Sequence, residues 1–130
     1  MRRQFKLPEG DEICLDALCL PWETIVEGSV QWLFVHNFKI PVGYSHELAI
    51  AALRIPPNYP VEQIDMVYFD PHLSLKSGKR INALSPLVID GRQFQQWSRH
   101  RTAQNPWRPG EDDVCSHLLQ ATSWLKRELP

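Results

Sequence analysis

Three cysteines and five histidines are the residues of this 130-residue chain suited to metal binding or to acyl and proton transfer. Cys14-x4-Cys19 is not a standard zinc spacing, and no nearby histidine pair completes four ligands. Cys115 and His117 stand two apart in a helical pattern, where such positions face different ways. An odd cysteine count, with no apolar signal core after Met1-Arg2-Arg3, predicts free thiols in a reducing cytosol. Cys115 is then expected to fill the core. His36 alternates with Trp32 and Phe34 and reads as a satisfied strand residue. His72, behind Asp70-Pro71, reads as a turn residue; His46 and His117 have no identifiable partner.

A second chemistry lies between Gly91 and Gly110. That stretch carries Arg92, Arg99, Arg101 and Arg108, no acidic residue, and Trp97 and Trp107 interleaved. Arginine with aromatics suits an acidic protein surface or a nucleic acid. A net charge of −1, from 14 basic and 15 acidic residues, favours the protein surface, because polyanion binders carry a basic excess. These six residues are therefore expected to bind a partner protein.

The elements that must position these groups follow from periodicity. Glu9 to Leu20 predicts a short helix, ended by Pro21. Trp22–Val26 and Val30–Phe38 predict a hairpin about Glu27-Gly28-Ser29. His46–Ile55 is alanine-rich but short and bounded by prolines, which favours a strand; Ile64–Phe69 is another. Residues 71–110 show little periodicity. Val114, Leu118, Ala121 and Leu125 then form a helical stripe, with Glu111, Asp112 and Asp113 expected in its first turn and Asp112 as its cap. Residues 1–7 are expected to be loose and 8–130 to form one domain. The predicted class is α+β: a four-stranded antiparallel meander with the C-terminal helix packed on one face. No apolar run approaches the roughly 18 residues of a spanning helix.

This order, with its punctuation, resembles the ubiquitin-conjugating (E2) superfamily. The marks are Tyr59-Pro60 after the third strand and Trp107-Arg108-Pro109 before a helix. Trp97-Ser98-Arg99-His100 followed by Trp107-x-Pro109-Gly110-x-Asp112 is similar to the bacterial group called prokaryotic E2 family E. The resemblance implies partners of three kinds: a ubiquitin-like protein, an E1-type adenylating enzyme and a metallopeptidase of the deubiquitinase type. It implies no metal or organic cofactor; the cytoplasmic expectation rests on the cysteine count and the absent signal core.

An E2 carries its cargo on a cysteine about eight residues before the Trp of the Trp-x-Pro turn. Here that count reaches Arg99, with Ser98 beside it, and no cysteine lies between Cys19 and Cys115. The usual His-Pro-Asn element is absent, and Asn82 is a weak candidate for its oxyanion role. The resemblance thus places Ser98 where the sulfur stands. A serine hydroxyl needs a neighbouring base, and His100, on the same side of an extended segment, is the candidate. Ser98 and His100 are the expected catalytic pair, carrying a ubiquitin-like C-terminus as an oxyester. The alternative is a catalytically inactive E2-like module that scaffolds the E1 or the ubiquitin-like protein.

Overall fold

A computed structural model describes residues 1–130. The chain runs α1 (Glu9–Ala17), β1 (Trp22–Glu27), β2 (Val30–Lys39), β3 (Leu48–Ile55), β4 (Val67–Asp70), β5 (Leu84–Ile89), β6 (Arg92–Trp97) and α2 (Val114–Arg127). The α+β class holds, and the first four strands form the expected antiparallel meander. The sheet has six strands, in the order β1-β2-β3-β4-β6-β5. The additional pair lies in the stretch read as patternless. Asp90-Gly91 turns it, with φ of 53° and 71°, the left-handed pair that a tight two-residue hairpin needs. Pro86 and exposed Leu87 and Val88 interrupt the alternation that marks a half-buried strand.

β5 forms the outer border. Counting alternate pairs from the turn, Ile89, Leu87 and Ser85 bond to β6, and Pro86 falls at a position facing away from the sheet. A proline is tolerated there because its missing N–H removes no ladder bond.

Both sheet faces are apolar. One packs on α1 and α2 through Leu15, Leu33, Leu53, Phe69, Trp97, Leu118 and Leu125, among others. The other holds Ile25, Trp32, Phe34, Ala52, Tyr68, Ile89 and Phe94. Trp32 meets Tyr68 edge-on at 5.0 Å, and Phe34 lies 5.1 Å from Phe94. That second cluster is buried because the β5–β6 turn reaches back to β1. Glu27 accepts the Asp90 N–H at 2.6 Å, and Arg2 spans Glu23 (2.7 Å) and Asp90 (2.6 Å). Residues 2–4, expected to be loose, lie along β1: Gln4 N–H donates to Thr24 O, and Thr24 N–H to Arg2 O.

Arg2 is the centre of this clasp. Glu23 is 7% exposed and also meets His36 Nε2 at 2.5 Å, so His36 has the partner its strand position implied. Burial raises the Glu23 carboxyl, but hydrogen bonds from Arg2 and His36 overcome this and hold it below its usual range. The Arg2 hydrogen bond likewise holds Asp90 low. Arg2→Met leaves a nearly buried carboxylate with one partner. Because Arg2 is itself 41% exposed, the expected loss is about 2 kcal/mol, below the value for a fully buried pair. Urea unfolding at pH 7 checks it. Lowered carboxyl pKa values stabilise above the ordinary carboxylate range, so the difference between the two proteins must shrink below about pH 4.

α1 ends at Ala17, earlier than expected, and Cys19 follows with φ 58°. α2 starts at Val114, so the three acidic residues precede it. Its cap is Asp113, not Asp112: Asp113 accepts the Ser116 N–H at 2.8 Å, and Ser116 Oγ accepts the Asp113 N–H at 2.9 Å. Cys14 of α1 and Cys115 of α2 form a disulfide, which overturns the expectation of three free thiols. Cys19 alone is free, and exposed. Pairing depends on which helices meet, and 101 residues of sequence separate these two cysteines.

Candidate functional site

The segment between β6 and α2 is fixed at both ends. At its start Ser98 N–H donates to Ala83 O at 3.1 Å, extending the β5–β6 ladder by one step. At its end Asp112 accepts the Arg108 N–H at 2.7 Å, forming the tight turn that enters α2. Trp107 anchors the middle. Its indole N–H donates to Pro60 O at 2.9 Å, and its ring packs 6.0 Å from Tyr59 and 6.4 Å from His117. Tyr59 OH donates in turn to Asp11 of α1. Burial raises the Asp11 carboxyl and, with Asp11 beside it, the Tyr59 hydroxyl. Tyr59-Pro60 thus shapes the loop, and Trp107, expected to bind a partner, is half-buried and anchors the segment from within.

Strand alternation carries past β6 and sorts the side chains. Trp97 and Arg99 face the helices: Arg99 lies 5.0 Å from the Trp97 ring and 3.8 Å from Glu128 at the end of α2. Gln96 and Ser98 share the opposite side, where Gln96 Nε2 donates to Ser98 Oγ at 3.2 Å. Ser98 is partly exposed. His100 is exposed, and its Nδ1 lies 2.9 Å and 3.0 Å from the two oxygens of Asp65. An Nδ1–H donated to that carboxylate leaves Nε2 as the acceptor nitrogen. This is how a carboxylate sets the tautomer of a histidine base. Ser98 is bonded to Gln96 and His100 to Asp65, and the two are not bonded to each other. Asn82 is exposed and directly precedes Ala83, which holds Ser98.

The predicted partner-binding residues divide. Arg92 and Arg108 are exposed, and Arg92 makes one loose contact with Asp70 at 3.4 Å. Arg99 is mostly covered, its side chain 17% exposed. Two assignments are corrected. Trp97 is fully buried, between Phe69 and Tyr44, with its indole N–H on Gln95 at 2.9 Å. Arg101 has a side chain only 5% exposed, stacked 5.0 Å from the Trp107 ring and 3.6 Å from Asp112. Neither can meet a partner; both hold the segment in shape.

His117 is the residue that sequence reasoning passed over. It is completely buried beneath Trp107, with Trp124 5.5 Å away. Its Nε2 donates to Met66 O at 2.8 Å, and Arg101 faces Nδ1 at 3.4 Å. Burial pushes its pKa down to about 4, so at neutral pH it is an uncharged strut joining α2 to the chain before β4.

The model of one protein family, prokaryotic E2 family E, matches residues 7–128. The chain belongs to prokaryotic E2 family E. That assignment fits the meander, the Trp107-x-Pro109 turn and the helix behind it. E2-like proteins in general work with ubiquitin-like proteins and E1-type enzymes. No curated protein and no solved structure matches this family E chain. None of its helices is long and apolar enough to cross a membrane.

Proposed function

We propose that this family E protein accepts the C-terminal acyl group of a ubiquitin-like protein from an E1-type enzyme, holds it on Ser98 as an oxyester, and passes it to a target nucleophile. The supporting observation is the Asp65–His100 pair, two residues beyond a partly exposed hydroxyl at the end of a rigid strand. Ser98 Oγ forms the bond to the acyl carbon as the activating group departs, and His100 Nε2 takes the hydroxyl proton. This transfer requires the contact between them to close, as catalytic hydrogen bonds often tighten only in the complex with substrate. Ser98 N–H is committed to Ala83 O, so the oxyanion needs another donor, and exposed Asn82, next to Ala83 in the chain, is the candidate. Arg92 and Arg108 supply the exposed basic surface for a protein partner. A metallopeptidase of the deubiquitinase type would reverse the conjugation. The E1 reaction consumes ATP, which argues for the cytoplasm.

Mixing the protein with its E1, ATP and the ubiquitin-like protein tests this by intact mass. The expected adduct is removed by alkaline hydroxylamine and is absent in Ser98→Ala. His100→Ala should slow its formation about 100-fold or more. Asp65→Asn should slow it as well, because the imidazole then loses its tautomer and aim. An adduct that persists in Ser98→Ala refutes the assignment. The present Gln96–Ser98 bond favours a second reading, a non-covalent E2-like scaffold; that reading predicts E1 binding with no adduct at all.

A further inference from the structure

We propose that the Cys14–Cys115 pair, once reduced, forms with Asp113 a site for a soft divalent metal such as zinc. The proposal is independent of the chemistry at Ser98. Cys14 Sγ, Cys115 Sγ and a carboxylate oxygen of Asp113 lie within 4.8 Å of one another. Zinc bonds of about 2.0–2.3 Å in a tetrahedron separate neighbouring ligands by roughly 3.5–4 Å, so small side-chain movements suffice. The ligands come from α1, from α2 and from the residue that caps α2, and all three are partly buried. Thiolates select zinc over magnesium or calcium.

Two further features suit the site to this use. Cys115 is the second residue of α2, and a helix N-terminus favours the thiolate. Asp113 gives one oxygen to the Ser116 N–H, leaving the other for a metal. The site is also reachable: Cys115 lines an open groove of about 470 Å³ between the turn after α1, the end of β2 and α2. A solvent molecule would complete four-coordination. The steps balance as follows. A dithiol reductant gives two electrons and two protons to the S–S bond and becomes a disulfide itself. The metal ion then displaces the two thiol protons as both Sγ–metal bonds form.

Zinc titration of the full chain in a non-thiol reductant tests the proposal, read by a competing chromophore and by thermal unfolding. We expect one zinc per chain in the reduced protein and none at this site in the oxidised protein. Because the metal binds the folded form, it should raise the reduced protein's midpoint by roughly 10 °C at about 100-fold above the dissociation constant. Asp113→Asn keeps the helix cap but removes the carboxylate, so affinity should fall about tenfold or more. Cys19→Ser should bind as the wild type. The proposal is overturned by a reduced wild type that binds no zinc, by a midpoint that zinc does not raise, or by affinity unchanged in Asp113→Asn.

Discussion

Cys14→Ser lowers stability by about 4 kcal/mol in the oxidised protein, the largest of the effects expected on folding. The bond closes a loop of 101 residues in a chain of 130, and so removes more freedom from the unfolded state than any short crosslink would. Chain-entropy reasoning gives about 4.7 kcal/mol for a loop near 100 residues, with native-state relaxation reducing it. Domains are commonly stable by only about 5–15 kcal/mol. The expected fall in midpoint is roughly 15 °C. Guanidinium unfolding with and without reductant checks this: reduction should destabilise the wild type by the same amount and leave Cys14→Ser unmoved. Equal stability of oxidised and reduced wild type would rule out the crosslink.

Acid destabilises the protein between pH 6.5 and 4 through His117. Burial places its folded pKa at about 4, against about 6.5 in the unfolded chain. A pKa lowered on folding means that the unfolded state binds more protons across this interval. Stability is therefore full above pH 6.5 and declines as pH falls, by as much as about 1.4 kcal/mol per unit and roughly 3 kcal/mol in all. His117→Gln retains a donor for Met66 O but cannot titrate, so its profile between pH 6.5 and 4.5 should lose the slope due to this imidazole and be shallower than that of the wild type. Urea midpoints at half-unit intervals read the slope. A wild type as flat as the variant would mean that this imidazole is not the titrating group.

α2 was legible because burial on one face imposes a period on Val114–Leu125, and the meander because Trp22–Phe38, buried on both faces of the sheet, is rich in aromatic and branched residues around the Glu27-Gly28 turn. β5 and β6 were not. Their strongest signal was local, the Asp90-Gly91 dipeptide, and it was overshadowed by Pro86 and by three glutamines in β6. Gln95 is buried nonetheless, because its side chain satisfies Leu73 N–H, Leu73 O and Trp97 Nε1–H. A glutamine bonded in this way looks polar in sequence and behaves as core.

The site was legible in its location and less so in its roles. Arginine beside tryptophan signals an interface only where both reach the surface. Trp97 and Arg101 have the composition of a contact patch but the placement of internal supports. His117 was invisible for the complementary reason: its partner, Met66 O, lies 51 residues away on the main chain and leaves no mark in the sequence. The disulfide was missed because compartment arguments weigh cysteine number, whereas the bond depends on α1 crossing the start of α2.

Pro86 has a wider consequence. The outer margin of a sheet invites further chains to stack on it, and here the row of free donors is broken at its middle. Molecules crowded side by side therefore cannot zip into a continuous ribbon along that margin. Any protein that recognises this end of the molecule must read the shape and charge of its side chains, not extend its backbone ladder.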